Sequence, residues 1–170
     1  MPKRLVPLCP GECYHLYNRG VNRWDIFFDD DNYAFFLYNI DRYLLPVLDV
    51  LAYCLMPNHY HIVALIKETS EVGPTSEVSS AMMKLSVSYT KAINHRYDRV
   101  GPLFQGAFQS RHIDNNLYLW QLIGYVHHNP VEAGLVKSPE EWTYSSWRAY
   151  QRQEKPDLLH IKPVLDLGGP

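Results

Sequence analysis

The chain has 170 residues, 46% of them apolar and 20% charged, with a formal net charge of −2. That length suits one domain with a buried core, the composition excludes a wholly disordered chain, and no window approaches the roughly eighteen uninterrupted apolar residues of a membrane span. A net negative molecule attracts nucleic acid only through a local patch. The first ten residues are basic, but their short apolar stretch is broken by prolines, unlike a signal peptide, so a cytoplasmic location is the expectation. Three cysteines leave one over from any disulfide framework. Cys9, Cys13 and His15 raise the thought of zinc, yet no second Cys/His pair at matching spacing completes four ligands.

In chain order, Cys13–Arg19 reads as a strand ending at Gly20. Asp29, Asp30 and Asp31 supply a helix start, with acids where the N-terminal dipole favours them. Tyr33, Phe36, Leu37, Ile40, Tyr43 and Leu44 then recur at helical spacing up to Pro46. Val47–Leu55 is expected as a strand, and Pro57-Asn58 as a turn into a second strand, His59–Ile66. The polar stretch from Glu68 to Ser79 reads as a loop, followed by a helix carrying Met82, Leu85, Tyr89 and Ile93 to near Tyr97. Gly101-Pro102 turns the chain into an extended segment or hairpin over Leu103–Ile113. Asp114-Asn115-Asn116 caps a helix with Leu117, Trp120, Leu122, Ile123 and Val126, which Pro130 is expected to end. Ser138-Pro139-Glu140-Glu141 resembles one more helix start. The order βαββαβα predicts an α+β fold, an antiparallel sheet with helices packed on one side in a ferredoxin-like sandwich. One domain spans residues 1–150, with 151–170 as a weakly specified tail.

Chemistry concentrates in two places. His59 and His61 lie two apart on an apolar strand, so both leave one face about 7 Å apart along the backbone. Such a pair can hold one cation or one phosphate; the competing reading is two half-buried, hydrogen-bonded histidines. Tyr125 and Asn129 lie on one helix face if the helix persists, with an N-cap of the turn Pro130–Ala133, closed by Gly134, as the competing role for Asn129. His127 and His128 read as surface or packing residues, with proton shuttling as the alternative. Residues 84–112 carry Lys84, Lys91, Arg96, Arg99 and Arg111 against the single acid Asp98, either a phosphate-binding patch or a solvated basic face.

Tyr14-His15-Leu16-Tyr17-Asn18-Arg19-Gly20, Met56-Pro57-Asn58-His59-Tyr60-His61, Gly101-Pro102-Leu103-Phe104-Gln105-Gly106, the run Tyr125–Leu135 and Trp142–Trp147 together resemble the single-tyrosine HUH transposases. The REP-associated tyrosine transposases are the branch most resembled, over about residues 12–150. Tyr60 departs mildly from the motif, whose middle residue is hydrophobic. The resemblance implies a DNA strand-transferase. His59, His61 and Asn129 would bind one divalent cation, Mg²⁺ or Mn²⁺. Tyr125 would attack phosphorus to give a 5′-phosphotyrosine, an ester that keeps the phosphodiester energy for rejoining. The implied partner is single-stranded DNA bearing hairpins, with the protein acting as monomer or homodimer. Arg19 and Arg23 would flank the site, while Lys84, Lys91, Arg96 and Arg111 would follow phosphates. A hairpin-binding protein without turnover and a metal-dependent hydrolytic nuclease are the competing functions.

Overall fold

The computed structural model describes residues 7–68 and 74–152. Strand β1 (Cys13–Arg19), helix α1 (Asp30–Asn39), strands β2 (Leu48–Met56) and β3 (His59–Ile66), helix α2 (Pro74–Arg96), strand β4 (Gln109–Ile113) and helix α3 (Asn116–Glu132) follow in turn, with a short α4 (Trp147–Arg152) last. Neighbouring strands are antiparallel and run β2-β3-β1-β4 across the sheet. This is the expected α+β ferredoxin-like order with α4 added.

Local chemistry sets the element boundaries. The Asp29 side chain accepts from the Asn32 backbone N–H at 3.0 Å and the Asn32 side chain accepts in return from the Asp29 backbone, a capping box that starts α1. The Asn115 side chain caps α3 by accepting from the Tyr118 N–H at 2.8 Å. A π turn over Ile40–Leu44 carries α1 towards Pro46. The sheet is covered on both faces. Tyr60, Ile62, Ala64 and Ile66 of β3 point into a core shared with α1 and α2. Val63, with Leu51, Cys54 and Met56 of β2, points the other way, under Leu119, Leu122, Ile123 and Val126 of α3. The expectation of helices on one side therefore describes α1 and α2, and α3 adds a layer opposite them. The sequence cause is the apolar run after His61, which lacks the polar alternation of a one-sided strand.

Helix α3 does not stop at Pro130. A proline in a helix interior costs about 3 kcal/mol, and what offsets that cost lies at and beyond the proline, where Pro130 is itself buried and backbone bonds over residues 130–135 close the last turn. The ending comes at Gly134, whose φ of +74° suits glycine. There the Leu135 N–H donates to the Pro130 carbonyl (3.0 Å) and the Gly134 N–H to that of Val131 (2.9 Å), a Schellman closure. Asn129 consequently lies inside the helix and does not cap the turn after it.

Other boundaries differ as well. Part of the expected 68–79 loop lies outside the described residues, but helix α2 already begins at Pro74. Pro at the first helical position with Glu77 in the first turn is a helix start that the polar composition hid. Of Leu103–Ile113 only Gln109–Ile113 is strand, although Phe104 makes an isolated bridge to Gly20. Pro139–Glu141 forms one 3-10 turn. After it the chain runs along the outer edge of β2, where Leu55 N–H donates to the Tyr144 carbonyl and Ser146 N–H to that of Tyr53, covering an edge that would otherwise invite pairing. The expected tail lies, from residue 153 onward, outside the described residues.

Candidate active site

Three elements meet at one end of the α3-covered face. Strand alternation puts His15, Tyr17 and Arg19 of β1 on that face, and the β1–β3 register sets Tyr17 opposite His61 and Arg19 opposite His59. Helix α3 crosses above, with Tyr125 and Asn129 one turn apart on the same side. The His61 and Tyr125 rings meet edge to face, centroids 5.8 Å apart, and those of His59 and His61 lie 4.9 Å apart. Tyr125 is 47% exposed, so its hydroxyl is not locked in the interior. The Asn129 amide is buried, and its nitrogen lies 3.5 Å from Nε2 of His61.

The hydrogen bonds around the two imidazoles bear on which ring nitrogens can ligate. Nδ1 of His59 is 2.7 Å from Oδ1 of Asn58, an acceptor only, so Nδ1 carries the hydrogen and Nε2 keeps its lone pair. At His61 the amide nitrogen of Asn129 is a donor and faces a lone pair on Nε2. Nδ1 of His61 lies 2.9 Å from Nε2 of His15, so one ring donates to the other, and with His61 as the donor its Nε2 lone pair is free. Burial pushes the His61 imidazole down to about 3, helped by His15 and His59, and that of His15 to about 4, helped by Arg111. The His59 value is lowered by burial and partly restored by Asn129. All three rings are neutral at pH 7, the state in which imidazole ligates. Two Nε2 lone pairs and an amide whose oxygen turns inward by a simple flip are a donor set that fits a divalent cation. Among the described residues no group of three or more His, Cys, Asp or Glu side chains could hold a metal ion; the Asn129 amide would be a third donor of another kind. Cys9 and Cys13 are free thiols.

A cavity of about 930 Å³ opens over the histidines, walled by Arg19, Arg23, Asn58 and Gln105 and closed on one side by Tyr17 and Tyr125. Arg19 donates through Nε to the Gln105 side chain, and Asn18 donates to the Gly106 carbonyl at 2.9 Å, which ties the 101–108 loop to the rim. Arg23 sits in a turn with left-handed backbone at Asn22 (φ 55°) and Arg23 (φ 60°), conformations disfavoured for residues with a side chain and frequent at functional loops. The Asn58 side chain steadies that turn by donating to the Arg23 carbonyl at 3.2 Å.

Of the residues singled out from sequence, His59, His61, Asn129, Tyr125, Arg19 and Arg23 come together here, and Arg111 lies close by, beside His15. Lys84, Lys91 and Arg96 do not. They belong to α2, which packs on the other face of the sheet, and Arg96 is held by Asp29 and Asp31 at 2.9 and 3.1 Å. His127 is buried on the far flank of α3 and bonds Ser146 Oγ at 2.7 Å, while His128 donates to the Gly124 carbonyl. Sequence reasoning missed the roles of His15, Asn58 and Gln105. The period-two register 15, 17, 19 was the signal that would have found His15.

The sheet order and the helices on its two faces define a ferredoxin-like α+β protein with a histidine-rich cleft under its third helix. A solved REP-associated tyrosine transposase bound to a REP hairpin has this fold, with a TM-score of 0.71, 18% identity, and coverage of 94% of this chain and 92% of that one. A bacterial tRNA(His) guanylyltransferase-like protein in complex with GTP is less similar, with a TM-score of 0.46, 10% identity, and coverage of 75% of this chain and 68% of that one. No protein-family model and no curated protein matches the chain. Among the described residues no helix is long and apolar enough to cross a membrane.

Proposed function

We propose that the chain is a DNA strand-transferase that cuts and rejoins single-stranded DNA beside a hairpin. The observation that carries this reading is the Tyr125 ring, part-exposed, against His61 in a cleft edged by arginines. Arg19 and Arg23 hold backbone phosphates at the rim. The Tyr125 oxygen attacks phosphorus in line, the P–O3′ bond breaks, and a 5′-phosphotyrosine and a free 3′-hydroxyl result. The phenolic proton leaves to solvent and the departing oxygen takes one up. His59, His61 and Asn129 would hold Mg²⁺ or Mn²⁺, which when bound would supply charge stabilisation at the scissile phosphate. Attack on the phosphotyrosine by another 3′-hydroxyl reverses the step and joins strands.

Hairpin-bearing single-stranded DNA incubated with the protein and Mn²⁺ should give a covalent adduct that survives denaturation. Tyr125→Phe should abolish the adduct and keep DNA binding, and His59→Ala should abolish cleavage with little loss of binding. An adduct persisting in Tyr125→Phe removes that residue from the role. Free 5′-phosphate ends without a covalent species would mean attack by water, and intact binding with no cleavage would mean recognition without turnover.

A further inference from the structure

A second cavity, of about 450 Å³, lies beside the first, across a ridge made by Tyr17, His61 and Tyr125. Its other walls are His15, Arg111, Tyr118, Gln121 and Leu122, contributed by β1, β4 and α3. We propose that this cavity receives one unpaired nucleotide adjoining the scissile phosphate, with its phosphate on Arg111 and its base against Tyr118 and Gln121. The inference rests on the strand-transfer reading for its substrate.

The chemistry of the walls selects such a ligand. Arg111 is a permanent cation, and among the described residues no carboxylate lines the cavity, so its charge matches a single phosphodiester. Tyr118 is half-buried and offers a ring for base stacking, a contact available to every base. Gln121, exposed and one turn from Tyr125, adds a donor and an acceptor for a base edge. The volume is near the low end of small-ligand sites, about 300–1,000 Å³, which suits one nucleotide better than a run of them. The shared ridge matters most. A strand whose phosphate rests at Tyr125 and His61 lies on that ridge, and this cavity is the space that opens on its Arg111 side.

The test is an abasic scan. A single abasic site is moved along the unpaired flanks of a hairpin-bearing oligonucleotide, and binding is measured by fluorescence anisotropy in EDTA, so that no strand is cut. At one flanking position the abasic change should weaken binding by about tenfold in the native protein and have no effect in Tyr118→Ala, the coupling expected of two groups in contact. Gln121→Ala, at an exposed position, should reduce the same coupling if Tyr118→Ala proves unstable. Additive losses at every position, or no binding, overturn the proposal, as does an Arg111→Gln variant that binds with unchanged affinity and salt dependence. The adduct assay stands apart from this scan: a coupled position without an adduct keeps the nucleotide site and removes the strand-transfer chemistry, and an adduct without a coupled position does the reverse.

Discussion

At the residue scale the pair His15–His61 decides which ring nitrogen is free for a cation. Removing the acceptor lets the His61 proton move to Nε2, the nitrogen a metal needs. His15→Leu should therefore weaken Mn²⁺ binding by about 10–100-fold, measured by titration calorimetry, while His15→Gln, which keeps an acceptor oxygen, should retain most of it. An equal loss in both variants would reduce His15 to a packing residue. Tyr60, between the two histidines, points the opposite way. Its ring is fully buried against Phe36 and Phe104, and its hydroxyl finds no partner among the described residues. A buried unsatisfied hydroxyl costs about 1–3 kcal/mol. Tyr60→Phe should raise stability by about 1 kcal/mol in urea denaturation without altering DNA binding; a destabilised variant would show that the hydroxyl is in fact satisfied.

At the scale of elements, the turn after β1 shows how little freedom the site allows. A Cβ on Gly20 would lie 2.0 Å from the Trp24 carbonyl oxygen, so glycine is required here by close approach and not by its own φ. Gly20→Ala should cost about 1–3 kcal/mol, the usual range for overpacking, and should loosen the turn that carries Arg23; thermal melts and DNA binding should both register it. Unchanged melting would mean the turn can shift without loss. Strands β1 and β3, the start of α1 and the start of α3 were legible, because caps and apolar runs are local signals. The Gly134 closure was legible for the same reason. The passage of α3 through Pro130 was not. It depends on the burial of Pro130 itself, and a chain read residue by residue contains no such contact. Likewise the pairing of His59 and His61 could be read from strand period, but their company with Tyr17 and their contacts with Asn58 and His15 need tertiary structure. Lys84, Lys91 and Arg96 were grouped with Arg111 because they are near in sequence, and the sheet separates them.

For the whole molecule, acid is the weak point. His127 is buried, and burial with help from His128 pushes its imidazole down to about 3. His15 and His61 lie at about 4 and about 3 and share a hydrogen bond, so they take up protons as a pair. Each takes a proton more readily in the unfolded chain, whose histidines titrate near 6.5. Their contribution to stability is full above about pH 6.5 and is lost as pH falls towards 4 and then 3, at up to about 1.4 kcal/mol per pH unit for each histidine. Melting temperatures of the metal-free protein should fall steadily from pH 7 to pH 4, and His127→Gln should flatten that slope. A flat profile in the native protein would contradict neutral buried rings. One further consequence follows from Asn129 and Tyr125 standing a single turn apart on α3. A helix moves as a stiff rod, so the Tyr125 oxygen, the proposed nucleophile, and the amide ride one lever. Any tilt or slide of that rod arms or disarms both together, and adjusting one without the other requires a change in side chain, not in position.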